Sequence, residues 1–164
     1  MGSRVLVVLW LCLLPQTGRA ELTLDDQELA PVLTALAHNL PDLALQRYRD
    51  IVPEDERLPE LTDLELELLV RSGSHEQALA LGEAAQSTPR GRFWLGRAAL
   101  GAGEFSRAIK DFEEVIQTLP AEASVVARAR LNQAKAFWLL EEPQNSLGAL
   151  EGLLESLEFG REAR

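Results

Sequence analysis

Residues 93–120 read FWLGRAALGAGEFSRAIKDFEEVIQTLP. Apolar and small residues recur at helical spacing on both sides of Gly103-Glu104-Phe105, and Pro120 closes the stretch. The pattern predicts two short helices joined by a tight turn, because Gly103 can take the positive φ that ends a helix and Pro120 cannot continue one. A helix pair of this size cannot bury its apolar face alone. The fold therefore depends on whether the unit recurs.

It does. Ala108, a small residue four positions before the bulky Phe112, serves as the marker. In PDLALQRY, Ala44 precedes Tyr48 by four; in GSHEQALALGEA, Ala78 follows the turn Gly73-Ser74; in EPQNSLGALEGLL, Ser146 precedes Leu150 by four. From Ala44 through Ala78 and Ala108 to Ser146 the intervals are 34, 30 and 38 residues. A recurrence of this length is the signature of a helical solenoid.

The unit resembles a tetratricopeptide repeat in Leu95-Gly96 of its first helix, Gly103-Glu104-Phe105 at its turn, Ala108 with Phe112 in its second helix, and Pro120 at its end. Gly96 and Ala108 would let the two backbones approach. Ala99 stands where the family usually has an aromatic and Val115 where it usually has alanine, and the other units match mainly by spacing, with Pro143 at the last turn and Gly82 inside a second helix. The resemblance covers roughly residues 24–158 and implies an all-α fold, a right-handed α-solenoid of about four antiparallel helix pairs with units near 24–56, 57–88, 89–122 and 123–158.

In LTDLELELLV, Leu61, Leu64, Leu68 and Leu69 fit a helix, yet the same letters alternate like a strand. The repeat frame decides for helix, since this run precedes Gly73 as FWLGRAALGA precedes Gly103. Thr23 with Asp26 suggests a capping pair, Pro31 is expected to kink or restart the first helix, and residues 52–59 read as a linker.

Composition agrees with helices. Of 164 residues 46% are hydrophobic, enough for one domain with a core, and the 5% aromatic content with abundant Ala and Leu favours close helix packing over a β-sandwich. The net charge of -10 argues against nucleic acid or an anionic membrane as the main partner.

Residues 1–20 stand apart from the fold. MGSR is a positive n-region, VLVVLWLCLLP an apolar h-region, and QTGRA ends with the small residues Gly18 and Ala20. The apolar run from Val5 to Leu14 is too short for a bilayer span of about twenty residues. A signal peptide cleaved after Ala20 is expected, with a periplasmic or extracellular destination. Leu11 before Cys12 argues against lipoprotein processing. Cleavage would remove Arg4, Arg19 and the only cysteine, leaving 14 basic against 26 acidic residues in 21–164 and therefore a charge of -12. Such a chain has no disulfide, no thiolate chemistry and no Cys-ligated metal.

Little else suggests chemistry. His38 sits near a helix end and His75 beside a turn, both suited to solvated or capping roles. Glu113-Glu114 and Glu141-Glu142 would diverge by about 100° on a helix. Gly101-Ala102-Gly103 follows a helix, whereas a phosphate cradle follows a strand. No enzyme activity, metal or cofactor is expected.

The resemblance implies instead a concave groove lined by the first helix of each pair. Read at i, i+3, i+7 and i+10, that face is Arg90, Phe93, Arg97 and Leu100 in one unit, Arg128, Leu131, Lys135 and Trp138 in the last, and Glu60, Asp63, Glu67 and Val70 in the unit around Ala78. The first unit gives Asp26, Leu29, Leu33 and Leu36, which suits a core better than a groove. Two readings remain. Arg90, Arg97, Arg128 and Lys135, with Phe93, Leu131 and Trp138, could hold a protein or peptide bearing carboxylates, since Arg grips a carboxylate bidentately and aromatics anchor. Alternatively Asp63 and Glu67 pair with Arg90 and Arg97 across neighbouring helices, leaving a neutral seam. Trp94, one step off this face, is expected to be buried.

The last helix carries Leu147, Leu150, Leu153, Leu154 and Leu157 ahead of the short ending EFGREAR. Part of that leucine face is expected to stay uncovered and to meet a partner, a second copy or a further part of a longer polypeptide. The functional expectation is an exported protein-binding scaffold, in a bacterial cell envelope. The alternative is a structural assembly domain, or the N-terminal part of a larger complex, using the leucine face.

Overall fold

The computed structural model describes residues 26–52, 61–84, 88–120 and 124–162. Within them four residues adopt a left-handed backbone: Asn39 (φ 57°), Gly73 (φ 81°), Gly103 (φ 82°) and Glu141 (φ 61°). They lie 34, 30 and 38 residues apart, the spacing of Ala44, Ala78, Ala108 and Ser146, each of which follows its turn by five positions. Every turn closes with the same hydrogen bonds. The residue after the turn donates five back, from Leu40 to Ala35, Ser74 to Leu69, Glu104 to Ala99 and Glu142 to Phe137, while the left-handed residue donates three back. This is the Schellman closure, which satisfies the last carbonyls of a helix. The marker residue then opens the next helix: Ala44, Ala78, Ala108 and Ser146 each donate their N–H to the carbonyl four before.

Eight helices result among the described residues: α1 Asp26–Ala37, α2 Pro41–Ile51, α3 Thr62–Arg71, α4 His75–Ala84, α5 Pro89–Ala102, α6 Phe105–Thr118, α7 Ser124–Leu139 and α8 Pro143–Glu162. The protein is all-α, with sequential antiparallel-like contacts. Each helix packs on the next, and α5 also packs on both α3 and α7. Prolines at the starts of α2, α5 and α8 fit a first turn whose N–H groups have no helical partner, and Thr88 caps α5 by accepting from the Gly91 N–H at 3.0 Å.

The markers explain how close the pairs come. Ala44, Ala78 and Ala108 are fully buried, and Ser146 is buried with its hydroxyl donating to the Ala134 carbonyl at 2.9 Å. Across from Ala108, Gly96 faces Phe112, and a Cβ there would lie 2.8 Å from the ring. In α4 the relation is reversed: Gly82 holds the position of Phe112, and the Leu95 side chain from α5 fills the space its missing side chain leaves. The largest wholly buried side chains include Trp94, Phe93, Phe112, Leu66 and Leu68, so the core is centred on α3, α5 and α6.

Three expectations change here. Pro31 does not restart α1, which runs from Asp26 to Ala37 through it, and its carbonyl accepts from Arg47 Nη1 at 2.9 Å. His75 is not solvated: it starts α4 half-buried, its ring lies against Gly101 of α5, and its Nδ1 is buried without a partner. α3 is apolar beyond one stripe, since Leu66, absent from the helical pattern, is as fully buried as Leu68. Residues 1–20, expected to be a signal peptide, Thr23, Glu60 and most of the 52–59 linker lie outside the described residues.

Candidate binding face

The positions expected to line a groove can be located relative to the four turns. Six residues before each turn stand Leu33, Glu67, Arg97 and Lys135; ten before stand Leu29, Asp63, Phe93 and Leu131. On α3 and α5 the charges meet. The buried Glu67 carboxylate takes Arg90 Nη2 at 2.9 Å from α5 and Arg71 Nε at 3.2 Å from its own helix. Asp63 accepts a hydrogen bond from Thr88 and pairs with no arginine among the described residues. Internal pairing therefore accounts for Arg90 but not for Arg97.

Arg97 is half-buried with its guanidinium 5.1 Å from the Trp94 ring centroid, and Arg71 approaches the same ring at 5.8 Å. Burial, then the charges of Arg71 and Arg128, push the Arg97 pKa below its ordinary value, against the opposing pull of Glu67. Like charges held together in this way are a local cost that an anion would relieve. Arg128 on α7 covers Phe93 at 4.9 Å. Neither Arg97 nor Arg128 makes an ion pair among the described residues.

Phe93 is not an open aromatic floor. It is 1% exposed, packed edge-on to Trp94 at 5.3 Å and tilted against Phe112 at 6.0 Å, beneath Arg128. Trp94 is buried as its place off the face implies. The α7 positions stand open instead. Arg128 and Lys135 are exposed, and Leu131 and Trp138 are 54% and 67% exposed. Arg97 is thus half-buried on α5 and Arg128, Leu131, Lys135 and Trp138 are exposed on α7, whereas Arg90 is held by Glu67 and Phe93 is packed in the core.

No protein-family model matches the chain, and no curated protein is significantly similar to it.

The remaining singled-out residues are structural in position. Tyr48, Leu95 and Phe112 are buried between helices, Phe105 is half-buried at the start of α6, Gly73 and Gly103 form turns, and Pro120 is exposed beyond α6. Sequence reading missed Arg71, whose place in the last turn of α3 gave no hint of Trp94, 23 residues on. It also missed Arg92, which joins the buried Asp111 at 3.3 Å and Glu114 at 3.1 Å beside a cavity of about 150 Å³ lined by Thr88, Pro89, Arg92, Glu114, Val115 and Thr118. Arg92 is fully engaged by these acids and holds α5 to α6. Among the described residues no group of three or more His, Cys, Asp and Glu could hold a metal ion, and no helix is long and apolar enough to cross a membrane.

Proposed function

We propose that the chain is a tetratricopeptide-like α-solenoid that acts as an exported protein-binding scaffold, with a partner carboxylate held on the face of α5 and α7. The recurrence of one turn, one Schellman closure and one small marker residue in four helix pairs supports the repeat reading. The observation that carries the binding reading is the contrast among the arginines. Glu67 pairs with both Arg71 and Arg90, while Arg97 and Arg128 stand on adjacent helices with aromatic rings beneath them and no ion-pair partner among the described residues. Two guanidiniums so placed favour an oxyanion, and exposed Leu131, three residues on from Arg128 along α7, offers apolar area. The leader-like residues 1–20 support export, in a cell envelope.

The test is capture from a cell-envelope extract by the protein and by an Arg128→Glu, Lys135→Glu variant. Loss of a captured protein in the variant is expected. Equal capture by both would sink the arginine-face reading. A second reading, a structural assembly role through the last helix, is favoured by the 53% exposure of Leu147 and the 61% exposure of Leu154.

A further inference from the structure

The four helix pairs are in register, so each position can be followed through all of them. One after the marker come Leu45, Leu79, Ile109 and Leu147; eight after it come Val52, Ile116 and Leu154 in the first, third and fourth pairs. In the first three pairs these residues are covered. Leu45, Leu79 and Val52 are buried, and Ile109 and Ile116 are half-buried against the core. Three before the turn stand Leu36, Val70, Leu100 and Trp138: Val70 is buried, and Leu36 and Leu100 are packed against the core. The same three positions of the last pair, Trp138, Leu147 and Leu154, are the exposed ones.

The covering element is visible inside the molecule. α7 packs on α6 and on α5, over the helices that carry Ile109, Ile116 and Leu100. We propose that Trp138, Leu147 and Leu154 form a seat for one more helix, supplied by a partner protein and docking on α7 and α8 as α7 docks on α5 and α6. The seat is acidic along the turn and α8, where Glu141, Glu142, Glu151 and Glu155 are all exposed and no Lys or Arg occurs from Pro143 to Glu155, while the exposed cations Arg128 and Lys135 lie on its α7 side. The occupant is therefore a cationic amphipathic helix. Two of the three helices already in equivalent places have that chemistry: α5 carries Arg90, Arg92 and Arg97, α7 carries Arg128, Arg130 and Lys135, and neither contains an acid, whereas α3, which follows the first pair, carries Asp63, Glu65 and Glu67. A second copy fits less well, because its own α8 repeats the acids and its α1 has no Lys or Arg.

Trp138 makes the seat observable. The probe is a synthetic peptide of residues 124–139 carrying Trp138→Phe, titrated into the protein while tryptophan emission is followed and calorimetry gives the affinity. A saturable blue shift is expected, absent for the same peptide with its three cations replaced by Glu. Leu147→Glu with Leu154→Glu should weaken binding at least tenfold, and so should Glu151→Lys with Glu155→Lys, with circular dichroism showing both variants folded. Trp138→Phe in the protein should remove the optical signal. Arg97→Glu, on α5, should leave peptide affinity unchanged, which separates this seat from the arginine face. Absence of binding overturns the proposal, as does binding that survives the α8 variants. Emission that shifts with protein concentration alone would assign the seat to a second copy, and emission already buried in the free protein would assign it to another segment of this chain; either result overturns the partner helix.

Discussion

The middle of the molecule and its last helix pair use the same turn and the same marker position, yet they treat equivalent side chains differently. On α6, Phe112 is fully buried and Ile116 half-buried; on α8, their counterparts Leu150 and Leu154 are half-buried and 61% exposed. The residue types are comparable, and the difference is that α7 packs on α6 while no further described helix packs on α8. Among the described residues α8 adds none to the main core cluster, whereas α6 contributes Ala108, Phe112 and Val115. Stability should therefore be concentrated in α3 to α6, and the last pair should be held by α7 against α6 and by the close approach at Ser146.

The largest expected effect tests that division directly. Phe112→Ala removes a ring packed on Phe93 and facing Gly96, and should cost about 3–5 kcal/mol in urea unfolding. Leu150→Ala, at the same place in the last pair, should cost about 1 kcal/mol. Equal losses would mean that the two pairs are equally well covered. One turn further on, Ile116→Ala should cost about 1–2 kcal/mol and Leu154→Ala less than about 0.5 kcal/mol. If Leu154→Ala proves as costly as Ile116→Ala, the outer face of α8 is covered in solution.

The turns allow a comparison free of packing. Gly103 and Glu141 hold the same left-handed conformation, but only glycine adopts it without a Cβ penalty. Glu141→Gly should stabilise the last pair by about 1 kcal/mol and Gly103→Ala should destabilise the middle by a similar amount. Thermal unfolding of the two variants measures both. A loss on Glu141→Gly would show that the glutamate side chain contributes more than its backbone costs.

How much of this was legible depends on whether a neighbour in space is also set by the repeat. The turns were in part, because the small marker residues recur at spacing that needs no tertiary knowledge and Gly73 and Gly103 mark two of the four, whereas Asn39 and Glu141 carry no such mark. The helical state of LTDLELELLV was not readable locally, since α3 buries Leu66 along with the expected leucines, and Glu65 and Glu67 are buried too, Glu67 meeting Arg71 and Arg90. A residue covered on several sides loses the one-face pattern on which periodicity rests. Phe93 was misplaced for a related reason: its position does face the arginine side, but the Arg128 side chain lies over it. His75 owes its packing to Gly101, on the next pair, where the absence of a side chain opens the space. The pairing of Glu67 with Arg90 was foreseeable as one of two readings; that Arg97 would instead lie over Trp94 was not.

The smallest effect concerns the seam between α5 and α6, where Asp111 has no counterpart in the last pair, since Ala149 takes its place. Burial raises the Asp111 pKa above its ordinary 3.8, against the opposing pull of Arg92. The sign follows from proton uptake. Between 3.8 and the raised value the folded state binds a proton that the unfolded state does not, so this residue lowers stability as pH rises through that window and restores it as pH falls. Asp111→Asn removes the titration and should flatten that part of the pH profile, although the loss of the 3.3 Å contact to Arg92 Nη1 offsets any gain at neutral pH. Urea midpoints taken from pH 7 down to pH 4 for both proteins isolate the difference. If the wild-type midpoint instead falls more steeply than that of Asp111→Asn on acidification, the Arg92 pair outweighs burial, and the middle of the molecule is held at this seam by charge as well as by its aromatic core.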